Sequence, residues 1–378
     1  MKLAVLKERR EFENRVAATP ETVKKYLGLG LTVAVEAGAG RGASISDAAF
    51  QAAGATIADA RGVLEGAGIV LAVQAPAGEV REQIPRGALL LCIANAFADA
   101  GEVPAFAQAG VNLVALELLP RITRAQAMDV LSSQANLAGY RAAIEAAGAF
   151  ERGFPMMMTA AGTVAPARVF VIGAGVAGLQ AIATARRLGG IVSATDVRPA
   201  AKEEIKSLGA AFVGVEDEET AAQKGAYASQ MSEAFRAKQA ELMAATVAKN
   251  DVVICTALVM GRKAPVIVTE PMVVAMKPGS VIVDLASDAG GNCALTQPGV
   301  EFTTPGGVKI LGFHNWPSRI AVAASQLYAR NLLTYLSTFW DKEAGQPKLP
   351  EGDEIVRGTL LTSGGAVVHP QFQPAQAA

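Results

Sequence analysis

The stretch from Arg168 to Ala185 constrains this chain most. A short run of buried-strand character, a glycine-rich turn and an alanine-rich helix follow one another without a break. The turn reads Gly173, Ala174, Gly175, Val176, Ala177, Gly178. In a strand–turn–helix that grips a diphosphate, Gly173 permits the tight turn, Gly175 lets backbone approach the pyrophosphate, and Gly178 lets the helix pack close to the strand. The helix start then aims N–H groups and a partial positive charge at the phosphates. Glycine spacing is a weak signal by itself, and helix–strand packing alone also accounts for it. The next strand, Ile191 to Thr195, ends in Asp196, eighteen residues after Gly178. A carboxylate there accepts from an adenosine ribose and repels a 2′-phosphate, which selects NAD(H) over NADP(H). The alternative is a loop carboxylate or helix cap, and Arg198, just past Val197, keeps the phosphorylated coenzyme open.

Around this turn the chain alternates short β-rich runs with helical stretches, the pattern of parallel α/β sheets. Strands are expected at Lys2–Leu6, Thr32–Glu36, Ile69–Gln74, Ala88–Ile93 and Val111–Glu117, and again at Arg168–Ile172, Ile191–Thr195, Ala211–Val215, Val252–Thr256, Ser280–Asp284 and Lys309–Gly312. The second series, six strands with helices between them, matches a doubly wound dinucleotide-binding sheet. Helices are expected at Glu21–Leu29, capped by Thr19 with Pro20 in the first turn, at Ser133–Ala149, and from Arg319 to about Trp340. Two Rossmann-like domains follow: residues 133–319 for the nucleotide, and a discontinuous first domain of 1–132 plus 320–378, closed by an extended tail. Thr256, Ala257 and Leu258, and likewise Asp284, Leu285 and Ala286, end two strands of the nucleotide sheet, where small residues leave room for a nicotinamide ribose; plain turn chemistry is the alternative for each.

A formal charge of −1 with no basic block argues against nucleic acid and against a polybasic membrane anchor. The three cysteines, Cys92, Cys255 and Cys293, are far apart in apolar surroundings and read as buried reduced thiols of a cytosolic protein. With only His314 and His369 besides, no metal site is expected. The N-terminus is charged too early for a signal peptide.

The segment Pro120 to Tyr140 concentrates hydrogen-bonding groups in an alanine-rich chain. Thr123 and Gln126 have capping-box spacing, and Gln126, Asp129, Ser133, Asn136 and Tyr140 recur at helical spacing. That face is either a solvated helix surface or a polar wall that fixes a nicotinamide. Hydride transfer needs no acid or base on the ring, only aim at near-attack distance.

These residues carry a resemblance. Met128–Gln134, Asn136–Arg141, Pro155–Thr163, Gly173–Ala185 and Pro278–Asn292 are similar to the NAD(H)-binding component, domain I, of proton-translocating nicotinamide nucleotide transhydrogenase, including its separate α1-type subunit. The resemblance covers essentially the whole chain. It implies that Arg121, Gln126, Asp129 and Ser132 contact the nicotinamide, with Arg121 and Asp129 holding ring and carboxamide. It implies a mobile loop over bound NAD(H), matched by residues 216–235 with Tyr227 and Met231. It further implies Re/Si-type hydride transfer from NADH to NADP⁺ held on a partner subunit, coupled to proton movement through a membrane component. A homodimer docked on one NADP(H)-binding partner follows, cytoplasmic and peripheral to the inner membrane.

Alanine dehydrogenase shares the opening Lys7, Glu8, Asn14–Ala17, Thr19 and Pro20. It needs a lysine after its third strand and a histidine after its fourth; here Gln74 stands at the first position, and Leu91–Ala96 holds no histidine. An amine oxidation then lacks its proton relay. Transhydrogenase relatives carry a histidine near the position of Ala94, which this chain lacks. Arg15 is either an inherited anion-binding residue or a salt-bridged core residue, and His314 is expected to be a packing or surface residue. A non-catalytic NADH-binding regulatory module is the remaining reading, since binding alone looks the same.

Overall fold

A computed structural model describes residues 1–215, 233–259 and 261–373. By internal contacts the chain divides into Met1–Gln134 with Ser318–Ala378, and Ala135–Pro317. The sequence placed these crossings at 132/133 and 319/320.

In the first unit, the strands β1 (Lys2–Val5), β2 (Thr32–Glu36), β3 (Thr56–Ala58), β4 (Ala67–Gln74), β5 (Leu89–Ile93) and β6 (Asn112–Ala115) pair in parallel in the order β3-β2-β1-β4-β5-β6. Alternate residues feed two cores. Leu3, Val5, Ile69, Leu71 and Leu91 face one, with Tyr328, Leu332 and Tyr335 of the helix Ala321–Thr338; Ala4, Leu6, Val70, Leu90 and Cys92 face the other. That is the side-chain period of a strand covered on both faces. The helix Pro20–Gly28 starts as expected, with Thr19 and Thr22 capping each other reciprocally. β3 was not foreseen, because a three-residue edge strand carries no apolar run. The C-terminal segment also departs from expectation. Instead of an extended tail it forms a helix, Glu354–Thr359, and two antiparallel strands, Leu360–Ser363 and Ala366–Val367. The first of these extends the sheet beyond β6, with Leu360 opposite Val114.

Polar side chains fill the carboxyl end of β1 and β4. Glu8 accepts from the backbone N–H of Val73 at 2.7 Å and of Gln74 at 3.2 Å. Gln74 Nε2 donates to Glu13, which Arg15 grips through Nε at 2.7 Å and Nη2 at 2.6 Å. Arg15 Nη1 reaches Gln134 Oε1 at 2.9 Å. With side chains 3% and 0% exposed, Arg15 and Glu13 make a buried ion pair, the second of the two roles open to Arg15.

In the second unit, β7 (Met157–Thr159) and β8 (Gly162–Val164) form a separate antiparallel hairpin. The main sheet comprises β9 (Arg168–Ile172), β10 (Ile191–Thr195), β11 (Ala211–Phe212), β12 (Val252–Cys255), β13 (Val281–Asp284), β14 (Glu301–Thr303) and β15 (Lys309–Leu311). Its order is β11-β10-β9-β12-β13-β15-β14. The six expected strands form the doubly wound, parallel part. A seventh, β14, adds an antiparallel edge on β15, too short and polar to have been read as a strand. The order reverses between β9 and β12, and ligands of such sheets bind outside the strand carboxyl ends at that switch point.

Burial pushes the Glu8 carboxyl from its ordinary 4.5 up to about 7; the neighbouring Glu13 charge adds to the rise, while the Val73 and Gln74 N–H donors and Arg15 oppose it. The folded chain therefore holds this proton more tightly than the unfolded chain. Its contribution to stability is full below about pH 4.5 and is lost as pH rises through about 7. Denaturant unfolding should show the stability of the natural chain relative to Glu8→Gln declining across that window. Glutamine does not titrate, so it stands as a reference with no pH dependence of its own at this position; parallel curves would refute the assignment.

Candidate dinucleotide site

β9 runs out at Ile172 into a turn where only glycine serves. Gly173 has φ +94°, and a Cβ there would meet Thr256 Oγ1 at 2.7 Å. At Gly178 a Cβ would lie 1.8 Å from the Gly173 carbonyl oxygen, so the helix Val176–Arg187 lies directly on the turn. Gly175 is different. It has an ordinary negative φ of −70°, caps the helix with no side-chain hydrogen bond, and a Cβ built on it would meet nothing within 4 Å. Two glycines are therefore demanded by packing and the third faces open space. The helix N-terminus behind it presents N–H groups without a side-chain cap, the arrangement that receives an anion. Ala174 is buried, and Val176 beyond Gly175 is exposed.

Asp196 follows β10 and is fastened to the same turn. Its Oδ2 accepts from Ala174 N at 2.6 Å, and its Oδ1 from Arg198 N at 2.8 Å and Arg198 Nε at 3.1 Å. Arg198 Nη2 also donates to Ala174 O at 2.8 Å. The loop-carboxylate role left open by the sequence is thus real, and it sets the carboxylate beside the glycine turn. A fourth, longer contact, from Arg198 Nη2 to Oδ2 at 3.5 Å, fills the last of the carboxylate's roughly four acceptor positions, so a ribose hydroxyl would take the place of this weakest bond. Val197 is 83% exposed.

Across the switch point, Thr256 Oγ1 donates to the carbonyls of Ile172 and Gly173 at 3.1 and 3.0 Å, tying the end of β12 to the turn. Ala257 follows, held on both backbone groups by the Asn292 side chain. Leu258 is 54% exposed. The structure therefore gathers Gly173–Gly178, Asp196, Arg198, Thr256 and Ala257 at the carboxyl ends of three neighbouring strands. Tyr227 and Met231 lie outside the described residues, as does most of the expected loop; from Glu233 the chain is helical.

Two residues that hold this site, Asn292 and Gly139, were not singled out from the sequence; Asp284 was read only as a strand end. Asn292 and the fully buried Asp284 anchor the loop after β13. Gly139 lets its helix approach the turn: a Cβ there would meet Ala177 O at 2.0 Å. Nothing local marked the packing role of Gly139 or the hydrogen-bonding role of Asn292. His314 pairs through Nδ1 with Asp288. Among the described residues no group of three or more His, Cys, Asp or Glu side chains is placed to hold a metal, and the three cysteines are free and buried.

The polar segment of the first unit departs from its expected form. Thr123–Met128 is a 3-10 helix with no side-chain cap, and the α-helix Val130–Ala149 starts only after Asp129. Gln126 and Asp129 therefore do not share its face with Ser133, Asn136 and Tyr140. Asp129 instead stands before the helix, its Oδ1 accepting from Ser132 N at 2.9 Å and its Oδ2 from the Ser132 hydroxyl. Ser133 Oγ donates to Asn331 Oδ1 at 2.7 Å, and Gln134 is buried against Arg15. Arg121 and Gln126 are exposed.

The N-terminal domain model of the alanine dehydrogenase/PNT family matches residues 4–138, and the C-terminal domain model matches residues 142–370. The first part of the NAD(P) transhydrogenase alpha subunit of Rhodospirillum rubrum, a separate chain, is 54% identical over 378 residues, covering 98% of each chain. The crystal structure of transhydrogenase from Sinorhizobium meliloti superposes with a TM-score of 0.89 at 49% identity, over 97% of this chain and 100% of that one. A solved L-alanine dehydrogenase shares the fold, with a TM-score of 0.80 at 24% identity over 98% of each chain.

The glycines separate packing from binding. Gly175→Ala should leave the melting temperature nearly unchanged, since a methyl group there has room, while dinucleotide affinity measured by calorimetry falls at least tenfold. Gly178→Ala should lower the melting temperature markedly. If Gly175→Ala binds normally, the open face of the turn is not a diphosphate site.

Proposed function

The chain belongs to the alanine dehydrogenase/PNT family, and within it we propose the NAD(H)-binding subunit of a proton-translocating NAD(P) transhydrogenase. The observation that carries this reading is the glycine turn, with its uncapped helix start, open Gly175 face and adjacent Asp196 carboxylate. The high identity to a transhydrogenase subunit over nearly the full length of both chains supports the choice within the family.

In this reading, NADH bound at the turn supplies a hydride from C4 of its reduced ring to NADP⁺ held on a partner subunit. Gly175 and the backbone N–H groups behind it hold the diphosphate. Asp196, with Val197 and Arg198 around it, receives the adenosine ribose and disfavours a 2′-phosphate. Thr256, Ala257 and Leu258 border the nicotinamide half. Arg121 and Gln126, both exposed, contact the nicotinamide together with the Asp129–Ser132 pair. Asp129 is an acceptor already oriented by Ser132, so its carboxylate is fixed before the ring arrives. No group needs to exchange a proton with the ring, because a hydride leaves one nicotinamide and joins another.

The residues disfavour the amino-acid dehydrogenase alternative. Gln74 is engaged with Glu13 and Asn95, and neither of the two histidines falls in the Leu91–Ala96 segment. Membrane attachment and proton coupling belong to partner subunits, and no helix among the described residues is long and apolar enough to cross a membrane. The homodimer has a candidate surface at the β7–β8 hairpin, where Met157 and Met158, with Met156 just before the first strand, are exposed. An isolated two-stranded sheet is marginal in water, and exposed methionines on both of its faces favour cover by a second copy.

Mixed with an NADP(H)-binding transhydrogenase component, the protein should exchange hydride between nucleotides, and it should not oxidise NADH with pyruvate and ammonia. Asp129→Asn keeps a good helix cap while removing the charge. Together with Arg121→Ala it should slow hydride transfer more than it weakens NADH binding; normal turnover in both variants overturns these roles. Met158→Asp should shift the species seen by light scattering from dimer to monomer, and an unchanged mass removes the hairpin from the interface.

A further inference from the structure

We propose that Asn292 is a positioning residue for the nicotinamide half of the bound dinucleotide, acting by holding the Ala257 peptide groups at the end of β12. This rests on the nucleotide-binding role proposed above and assigns a task to a residue that touches no part of the glycine turn.

The placement starts at Asp284, the last residue of β13, which is wholly buried. Its carboxylate is the hub of the loop that follows. Oδ1 accepts from Ala286 N at 2.9 Å; Oδ2 accepts from Asn292 N at 2.8 Å, Cys293 N at 3.0 Å and Thr296 Oγ1 at 2.6 Å. Gly290 and Gly291, at φ +101° and +82°, let the chain curl around it. The curl delivers Asn292 beneath the neighbouring strand end, since Cys255 of β12 lies opposite Asp284 in register.

There the amide of Asn292, itself 0% exposed, makes three bonds. Oδ1 accepts from Ala257 N at 3.0 Å, while Nδ2 donates to Ala257 O at 2.9 Å and Pro265 O at 2.9 Å. One side chain thus satisfies both backbone groups of Ala257, as a paired strand would, at a point where the sheet has already ended. An amide supplies a donor and an acceptor at that spacing whatever the pH, which an ionised carboxylate does not. The exposed Leu258 and Val259 come next in the chain, so the height at which they stand over the site is set by this clamp.

The clamp lies on one side of the switch point. Asp196 and Arg198 hold Ala174 from the β10 side, and Thr256 holds Gly173. None of these bonds involves Asn292. Removing its amide releases Ala257 and Leu258 and leaves the diphosphate turn and the adenosine side fastened. The effect should therefore fall on the part of the ligand beyond the diphosphate.

The test compares two probes, NADH and ADP, on the full chain by calorimetry. Asn292→Ala should weaken NADH about tenfold and change ADP less than twofold. Equal loss for both probes means general damage to the fold, and no loss for either means the clamp is idle; each overturns the proposal. Failure of the natural chain to bind NADH at all would instead remove the nucleotide reading beneath it. Asn292→Asp gives an independent signature. It keeps the acceptor for Ala257 N but aims a carboxylate at two carbonyl oxygens. Its NADH affinity should recover as pH falls and the carboxyl gains a proton to donate, while the natural chain and Asn292→Ala show no such recovery. A flat profile for Asn292→Asp contradicts the assigned bonds.

Discussion

The contact on which the nucleotide unit depends is the one between Gly178 and the Gly173 carbonyl. A single methyl group would sit 1.8 Å from that oxygen. Because it is absent, the helix Val176–Arg187 can press against the first strand of the sheet, and its N-terminus emerges where the strand order reverses. Everything else at the site is arranged around that emergence. Thr256 reaches over from β12, Asp196 from β10, and Gly139 brings a further helix onto Ala177.

The two sheets make an instructive pair, because they share a strand order. In the first unit β3-β2-β1-β4-β5-β6 reverses direction between β1 and β4, as the second unit does between β9 and β12. At the second switch point the turn is built of glycines and the helix start is uncapped. At the first, the chain fills the crevice itself: Glu8 takes the backbone N–H groups of Val73 and Gln74, and the Glu13–Arg15 pair closes in behind. The same topology yields one position that invites an anion and another already occupied by a side-chain carboxylate.

Much of this was legible in the sequence, for a physical reason. β9 and β10 are buried on both faces, so their apolar runs begin and end where the hydrogen-bonded ladder does, and both matched to the residue. The glycine turn was legible because steric demand leaves one residue type. Short edge strands such as β3 and β14 have no such signature. The polar segment misled because helical spacing does not distinguish a 3-10 stretch from an α-helix; the change between them at Asp129 turned an expected face residue into a cap. Asp284 and Asn292 were invisible as partners because their bonds join loops brought together only by the parallel register of β12 and β13. Tyr227 lies outside the described residues.

The double duty of Asp196 bears on how coenzyme preference can evolve. Its carboxylate fastens the N–H of Ala174 within the glycine turn, while Arg198 grips the same residue from its carbonyl; on the proposed function the same carboxylate also receives the ribose. Swapping the acid for an apolar side chain to welcome a phosphorylated ribose therefore also loosens the glycine turn at Ala174. On the proposed function, a lineage moving between the two coenzymes keeps the Arg198 hold on the Ala174 carbonyl but has to replace the hold on its N–H, so one exchange at this position alters coenzyme preference and turn geometry together.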